Sequence, residues 1–484
     1  MEQNLTQKTK FGMLWNAFEK FASQGIAFVL NIILARLLTP HDYGVIGMLT
    51  VFLTFSNVFI DSGFSRALVQ KQDRNEKDFS TVLLFNVSVS LILYAILFLC
   101  SPAIARFYKT PELVQLERVF FIVIILNSLT VVQNSQLQAA VDFKRIAFIN
   151  TITQICSGIA GIIAAFYGLG AWALVIQALS KSFISAVLFW CIGKWIPKTG
   201  FSYHSFKALF GFGSKLLVTG LLSTTVTNIN SLVVGKIYTP TNLGYYTRAQ
   251  QFPELVSGTL GSVLNNATFP LMASLQNDRE NLVYVFKKLI KTAAMVVFPA
   301  MVGLAVLSKP IISVLLGEQW LPAAELLFWL SLSYIFTPLS IINMNILNAI
   351  GRSDLFMKVD FSKIPFIAIT MLITFPISLK AVVIGSFVSA FIYFYINAFV
   401  PGRLFKYGAF KQLADMWKYI VASIIMGFVV ICVISFIKSS IFQFVFGILI
   451  GIVVYVGCLL LLRDSEVRIF LEKIKAVNKK NGKH

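Results

Sequence analysis

The sequence predicts an all-α integral membrane protein of about 14 transmembrane helices, with two parallel six-helix repeats forming two lobes around a central cavity and two further helices after them. Three observations carry this. Of the 484 residues, 57% are hydrophobic and 13% are charged, with a mean hydropathy of +0.78, whereas soluble domains carry roughly 25% charge. The apolar stretches are long and recur along the whole chain. Residues 39–44 read T-P-H-D-Y-G and residues 239–244 read T-P-T-N-L-G, each closing a long apolar segment and each preceded by a cation, Arg36 or Lys236. Fainter echoes pair Phe166–Leu174 with Pro376–Ile384 and Ala139–Lys144 with Ala349–Lys358. A duplicated unit is a recurrent transporter design.

A hydrocarbon core of about 30 Å takes roughly 20 apolar residues per helix. In order, the expected spans are 12–38, 44–62, 80–101, 115–138, 147–168, 172–193, 208–235, 246–274, 286–307, 323–349, 359–378, 381–402, 417–437 and 442–462. The first apolar segment, 11–38, is too long for a signal h-region and lacks a small-x-small cleavage site, so it is expected to stay as a span. Spans 12–38, 208–235 and 246–274 are the most polar. The repeat divides the chain into an N-terminal six-helix lobe (1–200), a C-terminal six-helix lobe (201–410), and two additional helices with a basic tail (411–484).

Lys and Arg orient the spans. Arg66, Lys71, Arg74, Lys77, Lys144, Arg145, Lys194, Lys198, Lys207, Arg279, Lys287, Lys288, Lys291, Arg352, Lys358, Arg403, Lys406 and Lys411 fall in the even-numbered loops. Both termini add to the same side, which places them in the cytoplasm of a multi-pass membrane protein. Six spans per repeat is an even number, so both copies insert the same way up.

The net charge of +20 sits in short loops, without a basic soluble domain, so it reads as topology rather than nucleic-acid binding. Cys100, Cys156, Cys191, Cys432 and Cys458 lie in apolar spans without metal-type spacing and read as small hydrophobes. Nothing in the sequence calls for a metal, a cofactor or enzymatic catalysis. The loops are too short for a catalytic domain, and no P-loop, G-x-S-x-G or metal-binding helix motif occurs.

Polar residues inside the spans fall on helical faces. At 100° per residue, Asn16, Lys20, Gln24 and Asn31 lie within about 80° on the first span, and Thr50, Thr54, Asn57 and Asp61 within about 60° on the second. Asn127, Asn134 and Gln138 mark the fourth span, and Gln177, Lys181 and Ser185 the sixth. Lys215, Thr219, Ser223, Thr227 and Asn230 follow one face of the seventh, and Arg248, Thr259, Ser262 and Asn266 one face of the eighth, which Pro253 interrupts. Polar packing between helices accounts for many of the neutral residues. It accounts poorly for Lys20, Lys181, Lys215, Arg248 and Lys363, although Lys181 and Lys363 have snorkelling as an alternative. The candidate substrate-binding residues are therefore Lys20, Gln24, Asn57, Lys181, Lys215, Arg248 and Lys363, and the candidate ion-coupling carboxylates are Glu19, Asp61 and Glu254. Embedded cations outnumber embedded acids, which suits an anionic cargo such as a phosphate.

A-R-L-L-T-P-H-D-Y-G (35–44), F-I-D-S-G-F-S-R-A-L-V-Q-K (59–71), F-Y-K-T-P-E-L (107–113), G-K-I-Y-T-P-T-N-L-G-Y-Y-T-R-A-Q (235–250), L-L-G-E-Q-W (315–320) and N-A-I-G-R-S-D (348–354) resemble the polysaccharide transporter (Wzx-type flippase) family of the multidrug/oligosaccharidyl-lipid/polysaccharide flippase superfamily. The resemblance covers about residues 10–400. It implies two six-helix lobes and alternating access. It also implies a substrate of undecaprenyl diphosphate carrying an O-antigen, capsule or exopolysaccharide oligosaccharide, with a polysaccharide polymerase and a chain-length regulator as candidate partners beside membrane lipids. The alternatives are a multidrug/cation antiporter of the same superfamily, which would need an essential embedded carboxylate, and a lipid II flippase. A membrane glycosyltransferase or polymerase would need a large external loop, which the sequence lacks.

Overall fold

Apolar runs of this length leave backbone amides no partner but their own helix inside a bilayer. The computed structural model describes residues 24–61, 63–71, 73–464 and 466, and all the regular structure among them is helical. Two compact units divide it, Met1–Gly244 and Tyr245–His484.

The first unit contains α1 (Gln24–Leu37), α2 (Pro40–Asp61), α3 (Phe64–Gln70), α4 (Glu76–Tyr108), α5 (Leu113–Phe120), α6 (Ile122–Ser128), α7 (Val131–Ala139), α8 (Phe143–Phe166), α9 (Ala171–Gly193) and α10 (Tyr203–Ile237). α8 and α9 form a hairpin, and α9 also lies on α2, α5 and α6. α10 lies on α2, α3 and α4. The seventh expected span therefore packs with the first unit, whereas the 200/201 division follows the repeat in the sequence. One end of this unit is tied by a cluster of Phe64, Leu68, Val82, Leu83, Val132 and Leu209, with Trp190, Trp195 and Phe206 against it. Phe64 meets Phe85 edge-on at 5.0 Å, a contact worth about 0.5–1.5 kcal/mol beyond its area.

The second unit continues from α11 (Pro240–Ser274), whose first turn belongs to the first, through α12 (Arg279–Val306), α13 (Ser308–Ile311), α14 (Pro322–Tyr334), α15 (Phe336–Ala349), α16 (Ser353–Ser362), α17 (Ile364–Thr374), α18 (Leu379–Phe405), α19 (Ala409–Ser435) and α20 (Ser440–Leu461). α19 packs on α12 and α20, and Tyr455 donates to the Met295 carbonyl at 2.7 Å. This is how the two helices after the repeats are attached.

Among the described residues, 11 helices are long and apolar enough to cross a membrane. The protein is thus a multi-pass membrane protein. Three of the expected spans lie outside that set. Residues 12–23 of the first lie outside the described residues, and Gln24–Leu37 alone is short. Span 246–274 is a continuous helix with Pro253 and Pro270 inside it, but it is polar along its length. Span 359–378 is not one helix: it breaks at Lys363, between α16 and α17, just before Pro365. Two other spans are segmented. In 115–138, the side chains of Ser128 and Thr130 bond the carbonyls of Ile125 and Asn127 and loosen the backbone ladder. In 323–349, Pro338 has no N–H to offer Tyr334, where α14 ends.

The repeated hexapeptides have a second role. Thr39 caps α2 through a reciprocal box: the Asp42 amide donates to Thr39 Oγ1 (3.3 Å), and the Thr39 amide donates to Asp42 Oδ2 (2.9 Å). Thr239 accepts from the Asn242 amide in the same way (3.3 Å). Pro40 and Pro240 occupy the first helical position, where a missing N–H costs nothing. Each T-P-x-[DN] is therefore a helix start as well as the end of the preceding span.

Candidate substrate-binding face

Bonding decides which polar stripes hold helices together and which remain open. In the first unit, Ser182 Oγ donates to Asn127 Oδ1 (2.8 Å), and Asn127 Nδ2 donates to Asn57 Oδ1 (3.2 Å). This chain joins α9, α6 and α2, so Asn57 is in part a packing residue. Ser90 with Ser128 (3.0 Å) and Ser65 with Ser135 (2.8 Å) do the same nearby. Bridges of this kind in membrane proteins average about 0.6 kcal/mol each.

α10 behaves differently. Lys215, Thr219, Ser223 and Thr227 are all exposed. Thr219 and Thr227 donate to the carbonyls of Lys215 and Ser223 within their own helix (2.9 Å each). Their hydroxyls are satisfied locally, yet a second lone pair on each oxygen still faces outward. Lys215 has no partner among the described residues, and neither does Lys181, exposed near the middle of α9. Both helices pack on α2. A lysine part-way along an apolar helix by default faces a wet or protein-lined space rather than acyl chains, with snorkelling the alternative for Lys181. On α2, Thr50 is exposed, while Thr54, Asn57 and Asp61 are half-buried. Asp61 Oδ1 caps the next helix by accepting from the Ser65 amide (3.3 Å).

In the second unit, Arg248 Nη1 donates to Gln251 Oε1 at 2.6 Å. Glu254 is exposed two residues after Phe252 on the same helix. Lys363 forms an ion pair with Asp360 at 2.6 Å at the break before α17. That pairing leaves it less available to a cargo than Lys181 or Lys215. Gln24 is exposed on α1, and Lys20 and Glu19 lie outside the described residues. Asn266 of the α11 stripe has no described side chain. Its neighbour Asn265 instead accepts from Asn345 (2.9 Å), which also donates to Thr268 (3.0 Å).

Two features escaped the sequence reading. Asn343 and Gln412 exchange reciprocal amide bonds (3.0 and 2.7 Å) in the core between α15 and α19. Glu117 is wholly buried in α5. Its signal was present as the apolar spacing of Leu113, Leu116 and Phe120 around it. Outside the spans, Asp354 is held down at about 2, chiefly by hydrogen bonds from the Arg352 guanidinium (2.9 and 3.0 Å).

Membrane-crossing helices that carry cations and hydroxyls turned out of the packing, together with the family match of residues 33–325, make this a membrane transport protein. Residues 33–325 match the family described as polysaccharide biosynthesis protein, and the chain belongs to that family. The chain is 26% identical over 354 residues to the teichuronic acid biosynthesis protein TuaB of Bacillus subtilis, covering 73% of each. It is 24% identical over 475 residues to the succinoglycan biosynthesis transport protein ExoT of Rhizobium meliloti, covering 96% of this chain and 94% of the relative. Among solved structures, the lipid II flippase MurJ in an inward closed conformation shares the fold, with a TM-score of 0.74 at 20% identity over 93% of this chain and 99% of that one.

Proposed function

We propose that this protein is a flippase that moves an undecaprenyl-diphosphate-linked oligosaccharide, a repeat unit of O-antigen, capsule or exopolysaccharide, from the cytoplasmic to the outer leaflet by alternating access. The observation that carries it is the exposed Lys215, without a partner among the described residues, in line with a run of hydroxyls on α10, in a chain of the polysaccharide biosynthesis family. Within the first unit, Lys215 and Lys181 neutralise the diphosphate, while Thr219, Ser223 and Thr227 offer oxygens to sugar hydroxyls. The polyprenyl tail stays in lipid throughout. An anion moving outward across a membrane negative inside gains about 2.3 kcal/mol per charge per 100 mV, which by itself drives the step.

The same reading places the protein in the inner membrane with both termini cytoplasmic. It takes the chain as two six-helix repeats, 1–200 and 201–410, followed by 411–484, with fourteen crossings in all. A polymerase and a chain-length regulator are its expected neighbours. The names of TuaB and ExoT support a cell-surface polysaccharide as the eventual product.

The test is reconstitution of the purified protein into vesicles with fluorescent lipid-linked oligosaccharide on the inner leaflet. Appearance of label on the outer leaflet, abolished in the Lys181→Ala/Lys215→Ala double variant, supports the reading. Export of a cationic dye against a proton or sodium gradient, without movement of the lipid, would overturn it in favour of an antiporter. Preference for lipid II over other lipid-linked sugars would move the substrate, not the mechanism.

A further inference from the structure

α5 turns Leu113, Leu116, Glu117 and Phe120 inward, at i, i+3, i+4 and i+7, and all four are buried. Three are apolar. The fourth is a carboxyl group with none of its surface exposed, and neither Oε1 nor Oε2 has a hydrogen-bond partner among the described residues. An ionised carboxylate in that position is far higher in free energy than the neutral acid, because it has lost water and gained no donor.

The surroundings contain charge but do not direct it at this group. Arg118 follows it in sequence, yet its Nε donates to Ser101 Oγ (3.2 Å) and its guanidinium lies 4.6 Å over the Phe98 ring. Tyr94 of α4 donates to the Arg118 carbonyl (3.1 Å). The same end of α4 also brings Arg106 and Tyr108. The facing end of α2 brings Tyr43, together with His41, which lies 3.4 Å from Glu112, and Asp42, which is bonded to Thr39. α9 contributes Lys181, in its middle, and Cys191; α6 has no ionisable residue. Glu76, Lys77, Asp78 and Asp61 lie at the far ends of α4 and α2.

We propose that Glu117 is a proton-binding site tied to the packing of α5. In the arrangement seen here it holds its proton. When α5 parts from α2, α4 and α9 at this level, the acid meets water, its O–H bond breaks, the proton passes to water and the electron pair stays on the carboxylate. The sign follows directly: the closed arrangement is favoured at low pH and gives way as pH rises, because only the opened one gains from ionisation. The distribution of Lys and Arg assigns this end of α5 to the outer face. On the flippase reading, which this last step alone rests on, external protons therefore bias the outer end toward closure.

The experiment uses the full-length protein in lipid nanodiscs without substrate, compared with Glu117→Gln, which copies the shape of the neutral acid. Infrared difference spectra are recorded between about pH 5 and 9, a range above that of an ordinary carboxyl group. A protonated-carboxyl band in the wild-type protein fades toward the alkaline end and is missing from the variant. Hydrogen–deuterium exchange of the 113–120 peptide, corrected for intrinsic rates, rises with pH in the wild type by up to about tenfold per unit, and stays flat in the variant. A wild-type protein with no such band, or with pH-independent opening of 113–120, overturns the proposal. Equal pH dependence in the two proteins also overturns it. Neither readout involves a lipid-linked sugar, so failure here leaves the transport reading standing, and failure of transport leaves the proton site standing.

Discussion

Gly44 lies against the carbonyl of Pro240, with no room for a Cβ between them. The relation is reciprocal, since Gly244 lies against the carbonyl of Pro40. Residue i of one hexapeptide meets residue j of the other and the reverse, as in contacts made across a twofold axis.

Replacing either glycine by alanine places a methyl group against backbone, which cannot rotate aside. Gly44→Ala and Gly244→Ala should each lower thermal stability in detergent by about 1–3 kcal/mol. Gly25→Ala, where nothing lies within 4 Å, serves as the control. Equal melting temperatures for all three would contradict the contact.

Lys215 has no ion-pair partner among the described residues and lies on an exposed face, so Lys215→Ala should leave insertion and folding intact. If the lysine binds a diphosphate, substrate affinity drops by about 10- to 100-fold, the worth of one charge-assisted hydrogen bond. Titration with a fluorescent lipid diphosphate checks this. Lys363→Ala, whose charge is already paired with Asp360, is expected to change affinity less.

Asn343 and Gln412 satisfy one another where no water reaches, and Gln412 Nε2 also donates to the Tyr407 carbonyl (3.2 Å). Asn343→Leu strands the Gln412 amide and should cost about 1–3 kcal/mol. The double variant Asn343→Leu/Gln412→Leu removes both partners and should recover a large part of that loss. A double variant no more stable than the single one would show that the pair acts through shape instead.

Asp354 is fully exposed and clasped by Arg352. Its carboxyl sits below the unfolded value, so the clasp is complete above the ordinary carboxylate range and is lost as pH falls toward about 2. Arg352→Ala should return the titration of Asp354 to the ordinary range, observable by NMR of side-chain-labelled aspartate. No change between the two would show that the clasp does not form in solution.

The sequence by itself determined the membrane class, most of the helices and the starts of α2 and α11, because apolar length, capping residues and proline act locally. It also determined the family, through motifs spread over 35–354. Only tertiary structure decided which polar groups were consumed. Asn57 and Asn127 read like the hydroxyls of α10, but a bond from Ser182 draws them into packing, whereas Thr219 and Thr227 stay on an open face. Glu117 drew no notice in the sequence, and packing through Leu113, Leu116 and Phe120 carries it inward. Whether a polar atom is free depends on the neighbour that folding brings to it, and that neighbour lies tens of residues away in sequence.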